Sequence, residues 1–215
     1  MRSIFIRVDG NRELGFGHVY RCLALAEYLK EDFDVIFLTQ KFNQLAIELI
    51  KEYGFKVSEI SASSEEEDIS NSLDILRKKQ NAHFFIVDGY GFSSQYHLKI
   101  RLAGYKTACV DGICNSHFFS DLVINPNLIA SVKGYSKESY TRLVLGADYS
   151  LLRLPFLNAM KGVTDTSSEK RPPFKLLVAF GGSDQFNLSQ HIIQVLLSRG
   201  KSFDINIDRV YVLLG

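Results

Sequence analysis

The chain has 215 residues, of which 46% are hydrophobic and 23% charged, and this is enough for a folded core of ordinary size. The 25 basic and 24 acidic residues nearly balance, which argues against the basic surface that nucleic acids require. The N-terminus does not resemble a signal peptide, and no apolar run approaches the roughly 20 residues that span a bilayer. We therefore expect a soluble, cytoplasmic protein with no nucleic-acid or membrane partner.

Short apolar runs alternate with helical patterns over the first 145 residues. This alternation, with strands that are apolar almost throughout, predicts an α/β fold whose parallel sheet is covered on both faces. The predicted strands are 4–8, 35–38, 56–60, 84–87, 106–110, 122–124 and 143–145. The predicted helices are 19–30, 42–53, a helix from the capping box at Ser64 to about residue 79, and 94–102.

Residues 160–173, MKGVTDTSSEKRPP, are polar, contain two prolines and lack periodicity, which predicts a linker. A strand from residue 174, a helix over about 187–198 and a strand in RVYVLLG follow it. We expect a Rossmann-like N-terminal domain over 1–159 and the truncated start of a second one over 174–215. The alternative is that these last elements extend the first sheet. Two strands and one helix leave apolar surface open, so the truncated arrangement also predicts self-association.

Three predicted strands end in Val-Asp-Gly, at Asp9, Asp88 and Asp111. The carboxyl ends of parallel strands share one edge, where open α/β sheets bind ligands. We expect the three carboxylates to line one crevice there with His18 and Tyr90. The alternative for each is ordinary turn chemistry, in which the aspartate accepts hydrogen bonds from the next backbone amides.

Gly15 and Gly17 precede His18 at the start of a predicted helix. The loop is not a dinucleotide fingerprint, because Tyr20 stands where that motif needs its third glycine. The chain also lacks a Walker phosphate loop, a nucleophile elbow and zinc-type spacing of histidine and cysteine, so we expect no metal and no cofactor.

His18 has the features expected of a catalytic base. The glycines allow a ligand to approach the backbone, and the partial positive charge at the helix N-terminus favours the neutral imidazole. A neutral imidazole can accept a proton from water. The alternative is a histidine that only caps the helix. The turn at Gly182, Ser183 and Asp184 repeats the strand–glycine–helix arrangement, and its amides are candidates for holding an anion.

Several segments, in order, resemble the UDP-sugar hydrolase family of pseudaminic acid biosynthesis and related spore-coat polysaccharide proteins. The most specific is GFGHVYRCLALA, which resembles the family's G-x-G-H-x-x-R-C-L signature. The others are IVDGYG, INPNL with Asn125, LGADYSLLRLPF and AFGGSDQFNLS.

The resemblance implies a GT-B-like fold and metal-independent hydrolysis of a UDP-2,4-diacetamido-2,4,6-trideoxy sugar, with inversion at the anomeric carbon. It places the essential histidine on His18. It also implies that the uridine diphosphate binds mainly to later parts of the second domain, beyond Gly215. The sugar and cleft contacts that it implies are Gly17, Arg21, Tyr90, Ser183, Asp184 and Asn187.

Two other functions remain compatible with the sequence. A glycosyltransferase on the same fold would need the same cleft and would transfer the sugar to an acceptor other than water. A partial chain could bind a nucleotide sugar without catalysing a reaction.

Overall fold

The computed structural model describes residues 1–161, 173–181, 184, 186–199 and 206–213. Most of the predicted linker and two predicted site residues, Gly182 and Ser183, lie outside the described residues. The predicted domain boundaries are not tested by the structure and stay predictions.

A seven-stranded parallel sheet forms the centre of the first 145 residues. The predicted α/β fold with a parallel sheet is confirmed. The strands are β1 (Arg2–Val8), β2 (Phe33–Gln40), β3 (Lys56–Ile60), β4 (Ala82–Asp88), β5 (Lys106–Val110), β7 (Leu122–Asn125) and β9 (Arg142–Leu145). Their order across the sheet is β3-β2-β1-β4-β5-β7-β9.

Helices cover both faces of this sheet. One apolar layer packs α1 (Gly17–Leu29) and α2 (Gln44–Glu52) against residues such as Ile4 and Ile6. The other packs α3 (Glu65–Arg77) and α4 (Ser94–Leu102) against Phe5 on the opposite face of β1. Burial on both faces explains why the strands are almost continuously apolar.

The direction in which the sheet grows reverses between β1 and β4. From β1 the chain proceeds outward to β2 and β3, and it then returns to place β4 on the other side of β1. The connections that leave β1 and β4 therefore diverge and open a crevice between the carboxyl ends of the two strands. In doubly wound sheets this switch point is the usual ligand site.

Four further described strands form two separate two-stranded sheets. β10 (Phe174–Ala179) and β11 (Ile207–Leu213) pair in parallel as their own two-stranded sheet, with α6 (Leu188–Arg199) between them in the chain. β6 (His117–Phe118) pairs with β8 (Ser136–Lys137). A short helix, α5 (Leu154–Met160), follows β9 and was not predicted. None of the described helices is long and apolar enough to cross a membrane.

Candidate functional site

His18 lies in the first turn of α1, directly after a tight loop. Gly15 closes this loop with a φ of +75°, which favours glycine, and its N–H donates to the carbonyl of Asn11 at 2.8 Å. Among the described residues, no side chain caps the helix and no acidic residue stands in its first turn. The N–H groups of that turn remain available, so the helix end presents partial positive charge next to His18.

Asp88, the last residue of β4, holds His18 and Arg21 together. Its Oδ1 lies 2.7 Å from Nδ1 of His18, and its Oδ2 accepts a hydrogen bond from Nε of Arg21 at 2.5 Å. Arg21 also donates to Oδ1 through Nη2, and the Cys22 thiol donates to Oδ2 at 3.3 Å. His18 and Arg21 are three residues apart on one helix, so their side chains lie on the same face and reach one carboxylate.

The contact with Asp88 fixes the tautomer of His18. Because a carboxylate only accepts hydrogen bonds, the 2.7 Å contact places a proton on Nδ1 of His18 and leaves Nε2 with a free lone pair. Arg21 Nη2 also approaches Nδ1, to 3.0 Å, since both groups donate to the same oxygen of Asp88.

Asp88 remains ionised although its side chain is fully buried. Burial alone would raise the pKa of this carboxyl, but the hydrogen bonds from Arg21 and His18 outweigh it and lower the pKa below its usual value. A buried carboxylate that orients an imidazole through Nδ1 also stabilises the imidazolium that forms when Nε2 takes up a proton. The geometry therefore suits His18 to act as a general base.

A cavity of about 330 Å³ opens beside His18, between the carboxyl ends of β1, β2 and β4 and the start of α3. Three of its lining side chains are large and exposed: Leu14, Phe42 (70%) and Tyr90 (69%). The Tyr90 ring meets the His18 ring edge to face, with 4.7 Å between centroids. Its size and its mixture of apolar walls and polar groups suit a small-molecule ligand.

The floor of this cavity, which we call the larger cavity, is a buried polar network around Arg7. Arg7 Nη2 donates to Asp68 and to Asp9, at 2.7 Å in each case. Tyr96 donates to Asp68 at 2.6 Å, and Gln40 Nε2 does so at 2.9 Å. Burial would raise the pKa of Asp68, but these donors, Arg7 first, lower it overall. The carboxylates are therefore already paired and do not add free negative charge to the cavity.

A second, smaller cavity of about 70 Å³ lies at the ends of β4 and β5. His18 and Tyr90 line it as well as the larger one, so they stand between the two cavities. Arg21, His97 and Asp111 also line it.

The three aspartates lie on one sheet edge but differ in what they do. The register aligns Asp88 with Val8 and Val110, which places Asp9 and Asp111 one residue further on. Asp9 lines the larger cavity, and its Oδ1 accepts from the Gln40 amide at 2.8 Å. Asp111 lines the smaller one and also accepts from the amides of Ile113 and Cys114, as turn chemistry predicts.

Two predicted ligand contacts are instead buried within the protein. Asp88 is 0% exposed and lines neither cavity, because its oxygens are occupied by His18, Arg21 and Cys22. Asn125 is also buried, where it donates to the Tyr135 hydroxyl at 2.7 Å and accepts from the Asn127 amide at 3.0 Å. Neither residue lines the two cavities, and direct ligand contact at both stays a prediction.

The predicted residues of the second segment organise the start of α6. Asp184 accepts from the amides of Leu188 at 2.8 Å and Ser189 at 3.0 Å, so its carboxylate caps the helix. Asn187 donates to Gln190. The expectation that amides of the turn at Gly182, Ser183 and Asp184 hold an anion stays a prediction, because Gly182 and Ser183 lie outside the described residues.

Gly17, another predicted contact, is the first residue of α1. The space beside its Cα is open, since a side chain there would place its Cβ more than 4 Å from any other atom considered.

Sequence reasoning missed the larger cavity's floor and several of its walls. Arg7 was the available signal, because a charged residue inside the run Ile4–Val8 of a buried strand needs a buried partner. The partner, Asp68, is 61 residues away in sequence and could not be identified without the fold. Gln40, Phe42, Ser63, Glu65 and Phe92 also line the cavity and were not predicted.

No known family profile matches the chain. It is 32% identical over 213 residues to an uncharacterised protein of Methanocaldococcus jannaschii, a match that covers 95% of this chain. It is 30% identical over 197 residues to the UDP-2,4-diacetamido-2,4,6-trideoxy-β-L-altropyranose hydrolase of Campylobacter jejuni, which covers 90% of this chain. The chain spans 42% and 65%, respectively, of the lengths of these two relatives.

Among solved structures, the fold is similar to that of MurG from Acinetobacter baumannii, which has a GT-B fold. The TM-score is 0.58 at 14% sequence identity, and the match covers 99% of this chain and 68% of MurG. At this identity the likeness concerns the fold alone.

Proposed function

We propose that the chain belongs to the family of the Campylobacter jejuni hydrolase and processes a UDP-activated sugar, which it hydrolyses to UDP and free sugar. Similarity at 30% identity over 90% of the chain supports this proposal. A fold shared with a GT-B protein is compatible with it. The observation that carries the proposal is the Asp88–His18 pair, with Nε2 of His18 available beside a cavity of suitable size.

In the proposed reaction, His18 is the general base. Nε2 takes a proton from a water molecule as the water oxygen forms a bond to the anomeric carbon of the sugar. The bond from that carbon to the diphosphate oxygen breaks, and its electron pair leaves with UDP. Asp88 stabilises the imidazolium that results. Attack opposite to the leaving group inverts the anomeric carbon.

The larger cavity supports a deoxygenated, acetylated sugar as the substrate. Leu14, Phe42 and Tyr90 offer apolar surface, whereas the floor carboxylates of Asp9 and Asp68 are already hydrogen-bonded within the protein. A sugar with a 6-methyl group and two acetamido methyl groups would bury apolar surface against these side chains. A fully hydroxylated hexose would leave several hydroxyl groups without partners there.

The reaction is tested by incubating the complete protein with the diacetamido UDP-sugar in ¹⁸O-labelled water. We expect free sugar of inverted configuration and unlabelled UDP, because the water oxygen bonds to carbon and not to phosphorus. UDP-N-acetylglucosamine, which retains its 6-hydroxyl, is the comparison substrate and should react more slowly. Label in UDP would contradict carbon–oxygen cleavage, a glycoside product would favour a transferase, and binding without UDP release would favour a non-catalytic role.

A further inference from the structure

We propose that the smaller cavity at the ends of β4 and β5 is a water-binding site that supplies the nucleophile to His18. This inference rests on the proposed hydrolysis and adds to it where the attacking water comes from. The inference is based on the position of His18, which lines both the smaller cavity, about the size of a few water molecules, and the larger one, about the size of a sugar.

The size of the smaller cavity limits what it can hold. Its volume is about 70 Å³. A water molecule occupies about 30 Å³ in the liquid, so the space suits roughly two water molecules.

His97 supplies the smaller cavity with a polar group that could bind water. Its side chain is 4% exposed and lines the cavity, and its Nδ1 is hydrogen-bonded to the hydroxyl of Ser120 at 3.0 Å. No residue in the described part of the chain makes a hydrogen bond to its Nε2. A ring nitrogen without a protein partner is able to bind water, and water fits this cavity.

The protonation of His97 is compatible with this role. Burial lowers the pKa of His97 to about 4, so the ring is neutral at physiological pH and does not bring a positive charge into the cavity. Depending on its tautomer, Nε2 of the neutral ring donates to or accepts from water. Arg21 and Asp111 supply further polar lining.

The smaller cavity adjoins the larger one. His18, Gly89, Tyr90 and Phe92 line both cavities and separate them. A sugar in the larger cavity would meet water from the β5 side through His18, so that nucleophile and sugar enter from different directions. Water would then be held next to the base before the sugar binds.

Cys109 allows the water site to be tested without altering the larger cavity. It lines the smaller cavity and not the larger one, and Cys109→Leu would extend a side chain into the space proposed for water. In the complete protein, we expect Cys109→Leu to lower kcat roughly 10- to 100-fold, since the nucleophile is displaced, with KM for the UDP-sugar little changed. Cys114→Ser, at a cysteine that lines neither cavity, should retain wild-type turnover.

A high-resolution crystal structure of the unaltered protein gives a second readout that does not depend on activity. We expect an ordered water within hydrogen-bonding distance of Nε2 of His97. A dry cavity, or a folded Cys109→Leu protein that turns over at the wild-type rate, would overturn the proposal. If the wild-type protein releases no UDP, the proposed hydrolysis fails, and the crystallographic water still decides whether the cavity is a water site.

Discussion

At the scale of single residues, the site depends on how one buried carboxylate is shared. Asp88 accepts from His18, Arg21 and Cys22, and the guanidinium of Arg21 supplies the positive charge that keeps it ionised. His18 therefore has a fixed ring orientation and a defined tautomer. In the proposed mechanism Asp88 is a positioning residue, which acts on the reaction through His18.

Asp88→Asn tests this positioning. An asparagine has similar size but keeps only one acceptor oxygen, so it cannot hold both His18 and Arg21, and it removes the charge that stabilises the imidazolium. We expect kcat for UDP release to fall roughly 100-fold or more, with a smaller change in KM. Asp74→Asn, at an exposed surface pair with Arg77, should leave both constants unchanged. A wild-type kcat in a folded Asp88→Asn protein would contradict the positioning role.

His97 predicts a pH dependence of stability. Its folded-state pKa of about 4 lies below the usual 6.5, so the unfolded chain binds the extra proton first as the pH falls. The stability that neutral His97 contributes is complete above pH 6.5 and is lost progressively down to about pH 4, by about 3 kcal/mol in total. Urea unfolding at several pH values measures it. His97→Gln, which does not titrate, should flatten the curve in this window, and an unchanged slope in that variant would be the contrary result.

At the scale of elements, the sequence predicted the N-terminal cap of α3, and its contribution to stability is open to measurement. Ser64 accepts from the amide of Glu67 at 3.2 Å at the start of α3, as its capping box predicts. The second half of the box differs, because the Glu67 carboxylate accepts from Ser63 instead of Ser64.

We expect Ser64→Ala to lower the free energy of unfolding by about 1 kcal/mol, since one amide of the first turn loses its acceptor. Ser70→Ala, at an exposed position inside the same helix, should have no destabilising effect because alanine favours helix. Urea unfolding at neutral pH compares the two variants. Equal stabilities would contradict the capping contribution.

The sequence predicted the bounds of elements flanked by turn residues well, and it missed the shortest elements. β3, α4 and β5 have the predicted bounds, since clear turn residues flank each of them. α1 begins at Gly17, two residues before the apolar pattern starts, so His18 lies inside its first turn. β6 and β8 have two residues each and carry no periodic signal. α5 has only seven residues and contains Pro155, which is tolerated in the first turn of a helix.

At the scale of the whole molecule, the sequence predicted that the three candidate aspartates share one edge of the sheet, but not the contacts between side chains there. The alternation of strands and helices implies a parallel sheet, and three Val-Asp-Gly endings then share an edge. Asp88 and His18 are 70 residues apart, and their contact depends on β4 returning beside β1. No local pattern encodes that return, so Asp88 was expected to contact ligand directly.

The second sheet predicts self-association of the isolated 215-residue chain. β10, β11 and α6 expose large apolar side chains, including Leu177, Leu197 (77%) and Tyr211. Burial of this surface against another copy is favourable. We expect light scattering to give a mass that rises with concentration, and Leu197→Lys to reduce the rise. A constant monomer mass at high concentration would contradict this prediction.

The most direct test of the central claim is the rate of UDP release from the diacetamido UDP-sugar by the complete protein and two histidine variants. We predict that His18→Ala lowers kcat by about 10²- to 10⁴-fold, because it removes the base held by Asp88. His83→Ala, at an exposed histidine that lines neither cavity, should react at the wild-type rate. Normal turnover by His18→Ala would contradict the assignment of His18 as the base.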